Sequence, residues 1–419
     1  MKKLRIPKVL MIAIVGISLV TASCKKEGCT DPLATNYNKK ANHDDGSCEY
    51  DGVTPGATLV VTEDVDAPTT WNYERVEVCG NIQINAALTI PEGVTVVMCP
   101  NASIEIMESG SMNATGSAAN PIVFKGESVS PGYWRGIRFR SNNPNNNLEY
   151  VTVSDAGSYW AWDYANVSMG DLAKLSVENS TFSNSEQYGL YANDNATFPS
   201  FLNNTFSNNS LAGLNIAAAH AGSIDGASNY NVSNGEDFIN VRGMELNSTA
   251  TWPATTTPML FVGDFTLSAG INISAGANIL MESDAVIDVM ETGYLKALGT
   301  ADAPISIKGR FTSAGYWQGL NIRSNNPNNK FTYVNIADGG SYWAYDYTSV
   351  RVTGRLEMDN CSVANSNSWG VVIESSAAIY CSGSAQTDAA GVQSVNTLTG
   401  NGAGPDADCV GGGCTITFL

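Results

Sequence analysis

One 33-residue stretch occurs twice in this 419-residue chain, and it limits the folds that the chain can adopt. Residues 132–164 read GYWRGIRFRSNNPNNNLEYVTVSDAGSYWAWDY, and residues 315–347 read GYWQGLNIRSNNPNNKFTYVNIADGGSYWAYDY. The two copies align without a gap and match at 21 of 33 positions. A duplicated block of this length is expected to consist of smaller repeats.

A smaller repeat does lie beside the first copy. Residues 179–185 read NSTFSNS, and residues 203–209 read NNTFSNN. Short β-rich runs at such a spacing, separated by Gly, Asn and Ser, are typical of a solenoid, in which no single coil buries its own apolar face. Runs such as VTVV at 94–97 and LEYVTV at 148–153 favour strands, and the closely spaced leucines of the competing leucine-rich repeat are missing. The sequence therefore predicts an all-β parallel β-helix solenoid built from two tandem blocks offset by about 183 residues.

The N-terminus has the pattern of an export signal. Residues 1–23 contain four basic residues, an apolar run at 9–20 and then Thr-Ala-Ser directly before Cys24. The apolar run is too short for a comfortable transmembrane helix. The residues before Cys24 resemble a bacterial lipobox, which implies cleavage before Cys24 and lipid on its sulfur. The alternative is an ordinary signal peptide that a cysteine happens to follow. Lys25 is compatible with delivery to the outer membrane, so we expect a lipid anchor at the outer membrane or cell surface of a Gram-negative bacterium.

The charge balance limits the partners of the chain. It contains 22 Lys and Arg against 40 Asp and Glu, and removal of the four basic signal residues leaves 18 against 40, a net charge near −22. This charge repels nucleic acid and anionic polymers. The expected partners are the outer membrane, through lipid on Cys24, and a polysaccharide or surface protein, but no nucleic acid.

Eight cysteines remain after Cys24, an even number in an exported chain. Two of the predicted pairs each span about one coil, and stacked coils lie about 4.8 Å apart, within reach of a disulfide. Free or metal-binding thiols are the alternative, although the chain has no CxxC motif and no histidine cluster. The predicted disulfides are Cys29–Cys48, Cys79–Cys99, Cys361–Cys381 and Cys409–Cys414.

Residues 24–50 hold the anchor cysteine and a small module, CTDPLATNYNKKANHDDGSCEY, which is too short to have its own core. The segments CTDP, ATNYN and DDGSC resemble a module of surface proteins in Gram-negative bacteria. Asp31, Asp44 and Asp45 supply oxygen atoms for a candidate calcium ion, although their spacing is not that of an EF-hand. The alternative is a solvated spacer closed by its disulfide. Residues 51–68 have the composition of a linker.

The solenoid is expected over residues 59–237 (block 1) and 238–400 (block 2), with residues 401–419 as a C-terminal cap. The order G-x-L-x-A-x-G-T-A-x-x-P-I, G-Y-W-x-G-I/L, a strand, then Y-V-x-V/I resembles right-handed parallel β-helix repeat proteins of bacterial cell surfaces, within the pectate-lyase-like superfold. The likeness covers 295–336 and, less fully, 112–153. It implies a fold and not an activity, because this solenoid carries lyases, hydrolases, adhesins and stalks.

Residues that would support catalysis are sparse. His220 has no counterpart in the second copy and is expected to be a structural histidine. Repeated carboxylate pairs lie in loops rich in Gly and Tyr, where an Asp more often caps a turn. Three arginines that alternate along strands have no acidic cluster beside them in sequence, as a lyase would need. These groups are Asp155 with Asp163, Asp338 with Asp346, and Arg138, Arg140 and Arg323.

The stronger signal is aromatic, because each copy ends with four large rings in six residues. Neighbouring side chains of an extended segment point in opposite directions, so at most about half of these rings can enter one core. Exposed Trp and Tyr beside Asp stack on sugars and also anchor protein interfaces. The alternative is that the rings cover one side of the β-helix, while Trp134 and Trp317 are expected to be packed. The candidate ligand-binding residues are Tyr159, Trp160, Trp162, Asp163, Tyr164, Tyr342, Trp343, Tyr345, Asp346 and Tyr347.

These patterns predict a non-enzymatic, lipid-anchored cell-surface protein without catalytic residues. It would bind glycan or a partner protein through the duplicated aromatic loops, or serve as a structural or adhesive rod. Calcium is the one candidate cofactor. The alternative function is that of a polysaccharide lyase or glycoside hydrolase of the pectate-lyase-like superfold.

Overall fold

A computed structural model describes residues 25–32, 34–48, 54–158, 164–341, 347–402 and 416–418 of the chain. The chain divides into two compact units, Met1–Asp51 and Gly52–Leu419. The predictions for the signal peptide, for Cys24 and for the Cys409–Cys414 bond lie outside the described residues.

The first unit is held together by a disulfide and by turns. Cys29 and Cys48 are bonded, with their Cα atoms 4.7 Å apart. The backbone N–H of Asn38 donates to the carbonyl of Cys29 over 2.9 Å, and the Asn36 side-chain amide donates to the carbonyl of Ser47 over 2.5 Å. The predicted Cys29–Cys48 pair is therefore present in the structure.

The second unit consists almost entirely of short strands. The strands up to residue 232 are β1 (Thr54–Val61), β2 (Thr69–Thr70), β3 (Tyr73–Val78), β4 (Asn81–Ile84), β5 (Ala87–Ile90), β6 (Thr95–Met98), β7 (Ser103–Ile106), β8 (Ser111–Thr115), β9 (Ile122–Gly126), β10 (Gly136–Phe139), β11 (Asn147–Glu149), β12 (Val151–Ser154), β13 (Ala165–Met169), β14 (Ser176–Glu178), β15 (Thr181–Ser183), β16 (Tyr188–Ala192), β17 (Phe201–Leu202), β18 (Thr205–Ser207), β19 (Leu214–Ala217) and β20 (Asn229–Val232).

The later strands follow in the same way. They are β21 (Ile239–Arg242), β22 (Glu245–Leu246), β23 (Ala250–Trp252), β24 (Met259–Val262), β25 (Asp264–Leu267), β26 (Gly270–Ile273), β27 (Asn278–Met281), β28 (Val286–Val289), β29 (Tyr294–Leu298), β30 (Ile305–Gly309), β31 (Gly319–Ile322), β32 (Lys330–Thr332), β33 (Val334–Ala337), β34 (Val350–Val352), β35 (Arg355–Asp359), β36 (Ser362–Ala364), β37 (Val371–Ile373), β38 (Ala378–Cys381), β39 (Ser384–Gln386), β40 (Thr397–Thr399) and β41 (Ile416–Phe418). A 3₁₀ turn (Ala218–His220) and one short helix, α1 (Ala389–Gln393), accompany the strands described.

The strands stack into five sheets. Sheet 1 is β1-β3-β6-β9-β12-β15-β18-β20, sheet 2 is β4-β7-β10-β13-β16-β19-β21-β24-β27-β30-β33-β36-β40, and sheet 3 is β17-β14-β11-β8-β5-β2. Sheet 4 is β22-β25-β28-β31-β34-β37-β41, and sheet 5 is β23-β26-β29-β32-β35-β38-β39. Apart from the antiparallel β38–β39 pair, neighbouring strands are parallel and one coil apart in sequence, as between β7 and β10. The all-β parallel β-helix predicted from the sequence is confirmed.

The core is a set of apolar ladders inside the coils. In sheet 2, Ile104 lies opposite Ile137 and Ile137 opposite Val167, and all three side chains are buried. Alternate residues of β4 are exposed and buried, as expected when one face of a strand meets the core. Each such buried side chain contributes about 1.5–3 kcal/mol relative to leaving it in water.

The spacing between NSTFSNS and NNTFSNN corresponds to one coil. The pairing of β15 with β18 places Phe182 opposite Phe206, and their rings stack with centroids 5.3 Å apart. Asn179 and Asn203 take positive φ angles of 52° and 55°, a region that Asn tolerates better than most residues. The Phe and Asn positions of NSTFSNS thus recur because each coil needs the same inward ring and the same left-handed corner.

Sheet 2 runs through the whole solenoid, whereas the other sheets change partway along it. Sheets 1 and 3 end at β20 and β17, and sheets 4 and 5 begin at β22 and β23. The duplicated strands consequently fall on different sheets, because β10 belongs to sheet 2 but its counterpart β31 belongs to sheet 4. The offset between the two copies is therefore not a whole number of coils. The block boundary at 237/238 stays a prediction.

The cysteine predictions have different outcomes. Cys79 and Cys99 are bonded, with Cα atoms 4.9 Å apart, whereas Cys361 and Cys381 are free buried thiols and do not form the predicted bond. Strand register explains the difference. Val78 lies opposite Met98, which places Cys79 opposite Cys99. In the later pair Glu357 lies opposite Tyr380, which places Cys381 opposite Met358. Met358 is three positions before Cys361 in the sequence.

We predict that alkylation separates the two pairs of cysteines. Burial raises the pKa of Cys361 to about 12 and that of Cys381 to about 11, so at pH 8 only about one thiol in a thousand or fewer is the reactive thiolate. Iodoacetamide should label both residues only after unfolding in guanidinium without reductant, and peptide mass spectrometry should find Cys79 linked to Cys99. A Cys361–Cys381 cross-linked peptide in the untreated protein would contradict the assignment.

Candidate functional site

The structure describes the bases of the two aromatic loops. Tyr164 and Tyr347 are half-buried, and each has a positive φ angle of 50°. The other candidate ligand-binding residues lie outside the described residues: Tyr159, Trp160, Trp162, Asp163, Tyr342, Trp343, Tyr345 and Asp346. The structure therefore describes the residues that flank segments 159–163 and 342–346.

Each loop begins beside a buried tryptophan. The indole N–H of Trp134 donates to the carbonyl of Ser154, and that of Trp317 donates to the carbonyl of Ala337, both over 2.7 Å. Both rings are fully buried, as the sequence predicted. The same tryptophans bind the residues that precede segments 159–163 and 342–346. The N–H of Ser158 donates to the Trp134 carbonyl over 3.2 Å. The equivalent bond in the second copy, from Ser341 to Trp317, is 3.0 Å long.

The inner aspartates of the predicted carboxylate pairs hold the turn before each loop. Asp155 and Asp338 have φ angles of 69° and 68°. Each accepts a 2.7 Å hydrogen bond from an asparagine amide of the next coil, Asn184 in the first copy and Asn365 in the second. Burial raises the pKa of Asp338. These carboxylates act as turn caps, in line with the structural interpretation of the sequence.

A glycine is required where each loop closes on itself. Gly157 and Gly340 have φ angles of 83° and 85°, and a Cβ atom would lie 2.6 Å from the Tyr164 carbonyl oxygen or 2.3 Å from that of Tyr347. A side chain at either position would therefore collide with the far end of its loop. Both ends of each segment are thus fixed by matching contacts in the two copies.

The loops adjoin sheet 2 at opposite ends of its strands. Segment 159–163 connects β12 of sheet 1 to β13 of sheet 2, whereas segment 342–346 connects β33 of sheet 2 to β34 of sheet 4. Seven strand spacings separate β13 from β33, or about 34 Å at about 4.8 Å each. The duplicated loops consequently lie on two different corners of the solenoid.

Two of the three arginines singled out in the sequence, Arg140 and Arg323, have acidic partners. Arg140 pairs with Glu108 over 2.7 Å, and Arg323 binds Asp288 through Nε over 2.9 Å. Arg138 and Arg140 line an open cavity of about 510 Å³ on sheet 2 together with the exposed side chain of Leu172. Sequence reasoning missed these partners because they come from the preceding coil, far from the arginines along the chain.

The carboxylates of the N-terminal module bind backbone groups. Asp44 accepts a hydrogen bond from Gly46 N–H over 3.1 Å, and Asp45 from Ser47 N–H over 3.0 Å. Hydrogen bonds from the side chain and backbone of Ser47 lower the pKa of Asp45. Among the residues that the structure describes, no three acidic, histidine or cysteine side chains form a group suited to a metal ion. Calcium at Asp31, Asp44 and Asp45 stays a prediction.

His220 lies in the interior. Its Nε2 atom is 2.7 Å from the carbonyl of Asn193, and its ring meets Phe198 edge-on with centroids 5.8 Å apart. Burial lowers the pKa of His220, which favours the neutral imidazole. These contacts agree with a structural role.

Comparison with known proteins gave no match to a family model, to a curated protein or to a solved structure. No helix in the described ranges is long and apolar enough to cross a membrane.

We predict that the indole hydrogen bonds stabilise the loop bases. Replacing Trp317 with Phe removes the indole donor from the partly buried carbonyl of Ala337 and should cost about 1–3 kcal/mol beyond the loss of ring volume. Trp252→Phe is the matched control, because Trp252 is equally buried but its indole N–H has no partner. Guanidinium unfolding should show the larger loss for Trp317→Phe, and equal losses in the two variants would refute this role.

Proposed function

We propose that the chain is a non-enzymatic, lipid-anchored cell-surface β-helix protein that binds glycan through loops 159–164 and 342–347. The observation that carries the proposal is the matched construction of the two loop bases. In both copies a buried Trp holds the start of the segment and a turn Asp lies before it. A glycine whose position leaves no room for a side chain lies against the end of each segment.

Fixed loop ends favour ligand binding over a purely structural cover. Binding orders side chains and loops at a free-energy cost, and a segment whose two ends are already held loses less freedom when it meets a ligand. The loop sequences YWAWDY and YWAYDY supply rings for the apolar faces of sugars and carboxylates for their hydroxyls.

The surrounding residues support binding rather than catalysis. Asp155 and Asp338 are occupied as turn caps, and Arg140 and Arg323 form ion pairs. An acid or base for sugar cleavage has to reach the substrate with its proton-transferring atoms available. Each of these groups instead has at least one polar atom bound to a neighbouring coil.

The N-terminal signal and the net charge support a location and a ligand class. The signal at 1–23 and Cys24 would tether the mature chain by lipid at the outer membrane or cell surface. A net charge near −22 after signal removal favours uncharged glycans over polyanions, unless a cation such as calcium bridges them.

We predict that the soluble chain from Lys25 onward is retained on a glycan array without depolymerising the glycan. Trp160→Ala and Trp343→Ala should each lower retention while thermal unfolding stays unchanged, because each substitution removes a stacking ring from a loop. Leu298→Ala, which truncates an exposed side chain of β29, is the control.

Three outcomes would count against this function. They are release of shorter saccharides from polysaccharide substrates, unchanged retention in both tryptophan variants, and the absence of any retention by the wild-type chain. Runs with calcium and with chelator test the proposed cofactor.

A further inference from the structure

The turns stacked next to the two loop bases differ between the copies. Residues 127–133 precede Trp134 in the first copy, and residues 310–316 precede Trp317 in the second. Each turn lies against its loop base, since the N–H of Tyr316 donates to the carbonyl of Asp338 over 2.8 Å and that of Tyr133 to Asp155 over the same distance. The backbone is thus the same at both turns, and only the side chains around it have changed.

The second turn presents an aromatic ring to solvent. The Phe311 side chain is 60% exposed, far more than other phenylalanines of the solenoid such as Phe238, at 7%. Phe311 meets Tyr316 edge-on with centroids 5.6 Å apart, and the guanidinium of Arg310 lies 5.4 Å from its centroid. The ring is therefore held in place on its turn while much of its surface remains open.

Polar groups beside this ring form one network. Arg310 pairs with Glu282 over 2.8 Å, and the hydroxyl of Tyr316 donates to the same carboxylate. Burial, followed by this hydrogen bond, raises the pKa of Tyr316 to about 12, so it remains a donor at neutral pH. The guanidinium and the carboxylate are each partly exposed, at 32% and 23%. They offer donors and acceptors next to an apolar ring without adding net charge.

The first turn lacks these features. When the two copies are aligned without a gap, Glu127 and Ser128 take the places of Arg310 and Phe311. The position of Glu282 is taken by Cys99, which is bonded to another cysteine and carries no charge. The first turn therefore has neither the exposed ring nor the ion pair beside it.

The side chains that the following coil places against the two turns also differ. A second acid lies beside the first turn, because Glu186 is the side chain nearest to Gly132. The equivalent neighbour of Gly315 is the uncharged Asn367. The first corner thus has an acid where the second has an amide, whereas in the preceding coil the second has Asp284, whose N–H donates to the Tyr316 carbonyl over 3.2 Å, where the first has Asn101. The exposed ring and the ion pair beside it, rather than net charge, therefore distinguish the two corners.

We infer that the two duplicated sites have diverged, and that the second corner is the principal glycan site, at which an uncharged pyranose ring stacks on Phe311. This inference rests on the proposed function and names its ligand class. The net charge of the chain disfavours a polyanion, and the Arg310–Glu282 pair adds no net charge beside the ring. The apolar face of a pyranose fits the exposed ring, while its hydroxyls reach Arg310 and Glu282.

Affinity electrophoresis of the chain from Lys25 onward, in gels containing laminarin, glucomannan, xylan or dextran, tests the inference. Phe311→Ser installs the residue of the first copy at an exposed position, so the fold should be kept, as thermal unfolding can verify. We expect about tenfold weaker binding to the retarding polysaccharide, because one stacking contact is lost. Val129→Ala is the matched control, since it truncates an 84% exposed side chain in the first turn and should leave binding unchanged.

Different results would refute this inference and the proposed function on which it rests. If Trp343→Ala weakens binding but Phe311→Ser does not, the role of Phe311 is refuted and glycan binding by the loops stands. Equal losses in Trp160→Ala and Trp343→Ala would refute divergence of the sites. A wild-type chain that none of the four polysaccharides retards would overturn the ligand class, and failure on the wider glycan array would overturn the function as well.

Discussion

The structure depends on parallel strands that pair in register from one coil to the next. A parallel pair places like positions opposite each other, so an apolar side chain in one coil meets an apolar side chain in the next, as in Ile104, Ile137 and Val167. A slip of one residue would turn such a ladder towards solvent. Register also decides which cysteines form a disulfide. It brings Cys79 opposite Cys99, but the residue opposite Cys381 is three positions before Cys361.

The two copies of the duplicated stretch both keep this register, but the offset between them is not a whole number of coils. Sheet 2 is unbroken, yet equivalent strands of the two copies, such as β10 and β31, lie on different sheets. Near-identical loop bases therefore leave the solenoid at different corners. A ligand that touched both loops would have to cross the outer face of sheet 2, so duplication in the sequence does not create two sites along one edge.

Polar residues explain why loops of this kind are tolerated in a solenoid. A coil that leaves its sheet has backbone groups without strand partners, and such groups are costly when buried. At each loop base Trp, Asp and Ser side chains satisfy some of them, as the Trp134 indole does for the carbonyl of Ser154 and the Ser185 hydroxyl for the carbonyl of Tyr164. Much of the match between the two copies thus serves to hold the base, and the turns before it were free to diverge.

The sequence by itself determined the solenoid, its strand-rich coils, the coil length marked by NSTFSNS and the packed Trp134 and Trp317. These features are local or repeat at a fixed spacing, so composition and period reveal them. Only the tertiary structure decided the acid partners of Arg140 and Arg323, the free thiols of Cys361 and Cys381, the corner on which each loop lies and the exposure of Phe311. Each of these depends on which residue of the neighbouring coil lies opposite, and coils of unequal length change that register without leaving a mark in the local sequence.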